Sequence, residues 1–385
     1  MKSYKLFSEG LIMDKLYQCY ASAAFGMEGL VSAELKRLGA SGVHAENGGV
    51  FFESSSARLF GLNMRMHFSD RLYIVLNDSV CRTFEDLYQA VYRIEWQSFI
   101  AGEEAINISC KCVKSTLMSP RDCQSVTKKA VIEKLKKATG RRLFPETGPA
   151  FPVLVSIRND RTRILLNTSG DALSRRGYRT WNGEAPLRET LAAALLEISP
   201  WRPGIPLHDP CCGTGTILIE AAFMVSGRAP GFNRRFAMED LRFADHNETE
   251  QIRRAIRAEF DPAAVTGISG SDIDPEALEL AKRHIKQAGF HESGIQLDCV
   301  PLQQLQLASG CGVFLCNPPY GERLSDQNSC RRLYRELHEL KNRHSSWSLC
   351  AISSDPAFER CYGKTANRKR RLYNGRLECV FYCFD

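Results

Sequence analysis

The sequence predicts an α/β protein whose C-terminal half folds around a mostly parallel sheet and whose N-terminal part consists of smaller α+β modules. Its 385 residues suggest two or three domains at the usual size of about 150 residues each. Helical and strand-like segments alternate after Pro186, as they do in parallel sheets with crossover helices. One glycine-containing stretch, residues 209–216, directly follows a strand and opens a helix, as a cofactor-binding loop requires.

The composition indicates a globular protein. Apolar residues make up 44% of the chain and charged residues 25%, as in ordinary soluble domains. The first 30 residues mix charges with short apolar runs, so we expect a cytoplasmic location, with no signal peptide and no membrane segment. The 15 cysteines lack paired CxxC spacing, and we expect them to be small apolar side chains rather than a disulfide framework or a metal site.

The N-terminal part alternates strands and helices up to residue 167. Its strands are short apolar runs, and its helices keep apolar residues three or four positions apart. Gly39 ends the first helix, and Asn47-Gly48-Gly49 forms a turn between two strands. The predicted strands are 17–23, 50–52, 72–76, 105–114, 153–158 and 162–167, and the predicted helices are 30–38, 59–66, 84–92 and 125–139.

A polar, basic connector, residues 169–186, separates this part from the C-terminal half, and the main domain boundary falls there. The predicted strands of the C-terminal half are 205–208, 265–271, 295–297 and 313–316, and its predicted helices are 188–198, 216–226 and 275–288. Residues 379–384 are predicted to form an antiparallel edge strand.

The formal net charge of +7 is unevenly distributed along the chain. Two basic clusters suit a polyanion, although solvated helix faces give the same pattern. They consist of Lys128, Lys129, Lys134, Lys136, Lys137, Arg141 and Arg142, and of Arg368, Lys369, Arg370 and Arg371.

The glycine-containing stretch supplies the first candidate cofactor-binding residues. Glycines let the backbone approach a ligand closely, and the start of the following helix presents free amide groups. The candidates are Asp209, Cys211, Gly213, Thr214 and Gly215. A tight structural turn is the alternative interpretation.

An acid at the end of the next strand completes the cofactor hypothesis. Asp272 can accept hydrogen bonds from both hydroxyl groups of a ribose. Ile273 and Asp274 follow it and are further candidates for cofactor contact. Because Asp274 precedes Pro275, a helix cap is at least as good an interpretation for Asp274 as ligand contact.

The most specific motif is Asn317-Pro318-Pro319-Tyr320, directly after the apolar run 313–316. The prolines restrict the backbone, so that the Asn317 side chain and the Pro318 carbonyl can accept hydrogen bonds from one NH2 group. Tyr320 can stack on a flat ring. Two such acceptors favour the pyramidal nitrogen that an exocyclic base amine needs to attack a sulfonium methyl group, with no metal required. The alternative is a Pro-Pro turn that ends a strand.

On these motifs the chain resembles the RlmL/YpsC-type THUMP-containing 23S rRNA guanine-N2 methyltransferases. Further similar stretches are residues 167–171, 176–179, 184–194 and 372–375. The resemblance implies a ferredoxin-like subdomain at 1–70, a THUMP RNA-binding domain at 71–168, the connector at 169–186, and a Rossmann-like class I S-adenosylmethionine-dependent methyltransferase domain at 187–385. Structured RNA, either 23S rRNA or a large-subunit assembly intermediate, would be the partner.

The resemblance also implies roles for residues outside the two motifs. Lys114, Lys128 and Lys129 would contact RNA phosphates, with a solvated helix face as the alternative. Thr190, together with Glu189, would help close the segment from Glu184 onward over the methionine end of the cofactor.

Arg323, with Glu322, would help position the nucleotide, or would pair with a local carboxylate. One position departs from the family pattern. Where relatives carry an acid that bonds the adenine amine, this chain has Pro301, with Asp298 as a weak substitute.

We therefore expect methylation of guanine N2 in 23S rRNA. A DNA adenine-N6 methyltransferase is the nearest alternative, because the chemistry of the Asn317 motif suits either amine. A catalytically weak RNA-binding or assembly protein is the second alternative, since Pro301 departs from the pattern. The sequence does not indicate an oligomeric state.

Overall fold

The computed structural model describes residues 15–179, 187–290, 294–307, 310–319 and 324–385. Within these ranges two seven-stranded sheets form, and the first has the strand order β2-β3-β1-β4-β7-β6-β5. Its strands are β1 Tyr17–Ser22, β2 Ser41–Glu46, β3 Gly49–Ser54, β4 Arg71–Val80, β5 Ala105–Val113, β6 Ala150–Arg158 and β7 Arg161–Asn167. Its helices are α1 Glu28–Arg37, α2 Ser56–Arg65, α3 Phe84–Tyr92 and α4 Pro120–Thr139.

The second sheet is mostly parallel, which confirms the predicted fold class. Its strands are β8 Leu207–Asp209, β9 Ile268–Asp272, β10 Ile295–Cys299, β11 Gly312–Cys316, β12 Trp347–Ser353, β13 Arg368–Asn374 and β14 Leu377–Phe384. The strand order is β10-β9-β8-β11-β12-β14-β13, and β14 is antiparallel to both of its neighbours. Its helices are α5 Glu189–Ile198, α6 Thr216–Ser226, α7 His246–Arg257, α8 Pro275–Gln287, α9 Leu324–Arg343 and α10 Phe358–Tyr362.

Most predicted elements are present, but the prediction for α4 began too late. The helix starts at Pro120, and the Ser119 hydroxyl caps it by accepting from the amide of Asp122 at 3.3 Å. A proline at the first helical position suits this start, because its missing N–H would have no partner there.

Within the described ranges, no helix combines the length and the apolar character needed to cross a membrane.

The second basic cluster forms β13, which the sequence did not predict as a strand. Three of its four cations pair with carboxylates, and the fourth bonds to the main chain near α1. Arg368 pairs with Asp385 (3.4 Å), Lys369 with Glu359 (2.8 Å) and Arg371 with Glu378 (3.1 Å), while Arg370 donates to the carbonyl of Gly26 (2.5 Å).

The connector is held by a buried guanidinium. Arg176 forms an ion pair with Glu220 of α6 at 3.1 Å, and both side chains are almost fully buried. Arg176 also donates to the carbonyls of Met66, His67 and Leu173 at 2.7–3.2 Å. With both bonds to Glu220 counted, all five N–H groups of the guanidinium have partners. This one side chain therefore ties the residues after α2, the connector and α6 together.

Other contacts close the same junction between the two sheets. Arg65 at the end of α2 makes a two-pronged ion pair with Glu259, both bonds at 2.5 Å. Asn63 donates to Thr168, the residue after β7, at 3.2 Å. The junction is thus built from side chains far apart in the sequence.

Replacement of Arg176 should destabilise the whole chain. Arg176→Met removes the guanidinium that balances the buried Glu220 carboxylate and leaves it only a 3.9 Å contact with His67, so we expect a loss of about 3–5 kcal/mol in the free energy of unfolding. Arg176→Met combined with Glu220→Leu should recover much of this loss, because no unpaired charge remains. Urea titrations followed by circular dichroism measure both effects. Arg175→Met, at the exposed neighbouring position, is the control, with an expected change within about 0.5 kcal/mol. Equal stability of all four proteins would contradict the role of Arg176.

Candidate active site

The carboxyl ends of three neighbouring parallel strands meet at one edge of the second sheet. β8 pairs with β9, where Asp209 lies opposite Gly270, and with β11, where His208 lies opposite Phe314. Parallel strands end at the same edge, so the segments after β8, β9 and β11 converge there. These segments are the glycine loop (residues 210–215), the acidic pair at 272 and 274, and the segment that begins with Asn317.

The glycine loop has backbone angles that favour glycine. Gly213 has a φ of +49° and Gly215 a φ of +82°. The amide of Gly213 donates to Oδ2 of Asp272 at 2.8 Å. Close packing at β9 makes this contact possible, because a Cβ at Gly270 would lie 2.9 Å from Cβ of Cys212. The loop therefore rests directly on the end of β9.

The two acids after β9 have different partners. Asp272 accepts from the amide of Gly213 and, at 3.1 Å, from that of Asp274. A carboxylate has about four acceptor positions, so Asp272 can still accept from further donors. Asp274 accepts from the amide of Glu276 at 2.9 Å and caps α8, as the helix-cap interpretation predicted. Ile273 between them is 73% exposed and presents an apolar surface beside Asp272.

Buried groups connect the glycine loop to the strand that leads to Asn317. Oδ1 of Asp209 accepts from the amide of Cys211 at 3.1 Å. Burial raises the pKa of Asp209 well above its usual range, and the nearby Asp272 carboxylate adds to the effect. A hydrogen bond between the Cys211 and Cys316 thiols, together with burial, raises the pKa of Cys211. Asp209 thus supports the loop from inside the protein, and the half-buried Cys211 links the loop to β11, while direct contact of either with a cofactor stays a prediction.

Asn317 begins the segment that follows β11. Its side chain is half-buried, Pro318 is buried and Pro319 is exposed. The Tyr334 hydroxyl of α9 donates to the Pro319 carbonyl at 3.1 Å, and this bond holds the segment against α9. The roles predicted for Tyr320 and Arg323, and for Glu184 and Glu322, fall on residues outside the described ranges.

Thr190 and Glu189, at the start of α5, are buried and have partners within the protein. The Thr190 hydroxyl donates to Oδ1 of Asp70 at 3.2 Å, and Glu189 forms an ion pair with Arg179 at 3.4 Å. Arg179 also donates to the hydroxyl of Thr216, the first residue of α6, at 2.6 Å. These bonds join the connector to the helix that follows the glycine loop, while contact of Thr190 with a cofactor remains a prediction.

The three lysines predicted to bind phosphate lie around β5 and α4. Lys114 follows β5, is exposed and has a φ of +47°. Lys128 pairs with Glu146 at 2.7 Å and borders a groove of about 450 Å³ between β5 and α4. Lys129 is 69% exposed and lies 3.9 Å from Glu133. Carboxylates therefore partly offset two of the three cations, and their phosphate contacts are not yet tested.

His208 is a buried residue that sequence reasoning missed. Its Nδ1 lies 2.8 Å from the hydroxyl of Ser269 and its Nε2 lies 3.0 Å from the hydroxyl of Ser271. Burial, with a contribution from His344, lowers the pKa of His208 to about 4. The neutral imidazole thus links β8 to β9 at the residue that precedes Asp209. Alternate serines in β9 are the sequence signal that could have identified its partners.

The buried imidazole should make stability depend on pH. The pKa of His208 is lower in the folded chain than in the unfolded chain, where it is near 6.5. The contribution of His208 to the free energy of unfolding is therefore complete above pH 6.5. Stability is then lost as the pH falls from about 6.5 towards about 4, by about 2 kcal/mol at pH 5.

Urea titrations of the wild type and of His208→Asn at pH 8 and pH 5 measure this contribution. Because its pKa is raised in the folded chain, Asp209 adds stability as the pH falls, which opposes the effect of His208. Asp209 is present in both proteins, so its contribution cancels in the comparison. The wild type should lose more stability than the variant between the two pH values. An identical pH dependence of the two proteins would show that His208 does not titrate in this way.

Three family models match the chain. An RMKL-like methyltransferase domain matches residues 176–382, which is more than half of the chain. A THUMP domain matches residues 81–167, and an RlmL ferredoxin-like domain matches residues 18–73.

Two similar proteins have names that refer to RNA. A Bacillus subtilis protein, YpsC, whose name assigns it provisionally to the RNA methyltransferases, is 35% identical over 370 residues and 96% of each chain. The ribosomal RNA large subunit methyltransferase K/L of Shewanella frigidimarina is 31% identical over 95% of this chain. This chain spans about half the length of that relative, namely 52%.

Two solved structures are similar to the chain in both fold and sequence. SMU.472, described as a methyltransferase and solved in complex with SAH, has a TM-score of 0.90 and 36% identity, over 97% of this chain and 98% of its own. A Listeria monocytogenes protein described as a predicted N6-adenine-specific DNA methylase has a TM-score of 0.91 and 35% identity, over 96% of each chain.

Proposed function

The chain belongs to the RMKL-like methyltransferases that carry a THUMP domain and an RlmL ferredoxin-like domain, and from this premise we propose that it transfers a methyl group from S-adenosylmethionine to guanine N2 of large-subunit ribosomal RNA. The THUMP domain and the relatives named as RNA and ribosomal RNA methyltransferases support RNA as the substrate.

One observation carries the methyl-transfer part of the proposal. The glycine loop, Asp272 and Asn317 follow β8, β9 and β11, and these three strands are neighbours in one parallel sheet. A cofactor lying across the glycine loop would therefore lie beside Asn317.

The residues around the glycine loop fit S-adenosylmethionine. Gly213 and Gly215 present main chain without side chains, and Asp272 has remaining acceptor positions for ribose hydroxyls. The exposed side chain of Ile273 offers an apolar surface for the adenine ring. The cofactor structure of SMU.472, which contains SAH, supports this assignment.

Pro301 makes one part of the cofactor pocket unusual. It precedes a short 3-10 helix, Leu302–Gln304, and has no side-chain acceptor for the adenine amine. Asp298 lies in β10 opposite Ser271 and is exposed. We propose that adenine is held chiefly by apolar contact, with Ile273 as its principal neighbour.

The proposed chemistry assigns acceptors to Asn317 and Pro318. S-adenosylmethionine supplies an electrophilic methyl group on a sulfonium. Oδ1 of Asn317 and the carbonyl of Pro318 would accept the two hydrogens of the base amine and hold its lone pair in line with the methyl carbon. Attack of the amine nitrogen on the methyl carbon would break the S–C bond and leave its electron pair on sulfur, and the proton that the amine then loses would pass to solvent. The bond from Tyr334 to Pro319 supports the position of this segment.

Asp272 and Asp274 form a matched pair for testing the cofactor assignment. Asp272→Asn should weaken the binding of S-adenosylmethionine by about ten- to a hundredfold, because hydrogen bonds to a charged group are lost. Asp274→Asn should leave the affinity within about twofold, because asparagine also caps helices well. Isothermal titration calorimetry measures both. If both variants lost the same affinity, Asp272 and Asp274 would not differ in their role towards the cofactor. If Asp272→Asn bound S-adenosylmethionine like the wild type, Asp272 would not contact the ribose.

Asn317→Ala should lower the rate of methyl transfer on the order of a hundredfold, because one of two positioned acceptors is lost. The affinity for S-adenosylmethionine should stay near that of the wild type, which separates catalysis from cofactor binding. The assay follows radiolabelled methyl transfer to deproteinised 23S rRNA from a strain that lacks the gene. Unchanged turnover in the variant would contradict the assigned role.

The same assay tests the substrate. Nucleoside mass spectrometry of the product should show N2-methylguanosine. Duplex DNA is the comparison substrate, because the Listeria relative is described as a DNA methylase. Label in DNA as N6-methyladenine, with none in RNA, would replace the proposal by the DNA alternative. Binding of RNA without methyl transfer to either substrate would favour an assembly protein.

A further inference from the structure

A cleft of about 900 Å³ opens between the connector, the start of α5 and residues 234–240. Ala150, at the start of β6 in the first sheet, also borders it, so residues matched by the THUMP model and by the methyltransferase model both line the cleft. Among the described residues that line it, arginines outnumber carboxylates by six to three. The cleft is therefore strongly basic, although the chain's two basic sequence clusters lie elsewhere.

Three of these arginines build the walls of the cleft. Arg176 is buried in its ion pair with Glu220, and Arg179 bonds to Glu189 and Thr216. Arg234 donates to four carbonyls of the connector at 2.7–3.2 Å, and these bonds shape the connector around its guanidinium. The four carbonyls belong to Ser169, Asp171, Ala172 and Arg175.

The other three arginines are solvent-exposed. The side chains of Arg175, Arg188 and Arg235 are 74%, 52% and 75% exposed. Their nearest carboxylates are those of Asp171 at 3.3 Å, Asp70 at 3.8 Å and Asp240 at 2.9 Å. Ion pairs this exposed are weak, so a stronger anion can compete for each guanidinium.

The position of the cleft connects the two functional parts of the chain. Ala150, which lines the cleft, begins β6, and β6 pairs with β5 of the THUMP domain. Arg179, which also lines it, contacts Thr216, and Thr216 directly follows the glycine loop. An extended polymer lying in the cleft would thus pass both the THUMP domain and the helix that begins at the glycine loop.

We propose that this cleft binds the sugar-phosphate backbone of the RNA substrate, with Arg175, Arg188 and Arg235 contacting its phosphates. The inference rests on the proposed RNA methyltransferase function and adds the path that the RNA takes. Planar guanidinium groups bind phosphates through paired hydrogen bonds, and backbone contacts of this kind position nucleic acid without reading its sequence. The cleft is therefore a positioning surface, and the choice of nucleotide is made elsewhere.

The test compares Arg175→Ala/Arg235→Ala with the wild type, both as the full chain. Filter binding with transcribed 23S rRNA is measured over a series of KCl concentrations. Two lost phosphate contacts should weaken binding by about tenfold and lower the slope of log affinity against log salt by about 1.5. In the methylation assay the KM for RNA should rise while kcat changes little. Calorimetry should find the affinity for S-adenosylmethionine unchanged.

Arg332→Ala is the matched control. Arg332 lies on α9, outside the cleft, is 75% exposed and pairs with Glu336 four residues away, much as Arg175 pairs with Asp171. This variant should bind RNA like the wild type. Arg175→Lys/Arg235→Lys keeps the charges and should regain part of the lost affinity, which a folding defect would not allow.

The outcomes separate this inference from the proposed function. If the wild type methylates RNA and the double alanine variant binds RNA with unchanged affinity and salt dependence, the cleft does not bind the backbone and the proposed function stands. Displacement of the RNA by GMP would show a site for a single nucleotide and would also overturn the inference. If the wild type neither binds nor methylates RNA, the proposed function itself is wrong.

Discussion

The buried guanidinium of Arg176 is the contact on which the arrangement of the whole chain depends. It bonds to residues on both sides of the domain junction and to the connector itself, and none of its N–H groups is left without a partner. A charged group buried this completely is tolerated only because Glu220 balances its charge and main-chain carbonyls complete its hydrogen bonds. Since Glu220 belongs to α6, and α6 begins at the glycine loop, this contact also positions the loop relative to the first sheet.

The edge of the second sheet divides its polar groups into two kinds. Asp209 and His208 are buried, and their bonds run to the protein's own backbone and side chains. Asp272 is less buried and can accept further hydrogen bonds, while Ile273 next to it faces solvent. The inner groups give the edge its shape, and the outer groups remain available for a ligand. Position in the sheet sets this division, because β8 lies between β9 and β11, whereas Asp272 and Ile273 lie at and beyond the end of β9.

The arginines of the cleft show the same division. Arg176, Arg179 and Arg234 are engaged by carboxylates, a hydroxyl and carbonyls, and they hold the connector in place. Arg175 and Arg235, one residue away from two of them, are mostly exposed. Adjacent residues of identical type thus have opposite roles, and local sequence cannot distinguish them. Only the surrounding structure decides which guanidinium holds the connector in place and which is free to bind a phosphate.

The sequence by itself determined the alternating fold class, the glycine loop, the acid at the end of β9 and the position of Asn317 after β11. Each of these is a local pattern, in which a short apolar strand is followed within a few residues by glycine, acid or proline. The cap role of Asp274 was likewise evident from Pro275. The tertiary structure alone decided that three cations of the cluster at 368–371 pair with carboxylates outside β13, that His208 bonds to two serines of β9, and that a basic cleft lies beside the connector. In these cases the partners are mostly tens to hundreds of residues apart, as Arg370 and Gly26 are, and burial and charge pairing at such separations arise only when the chain has folded.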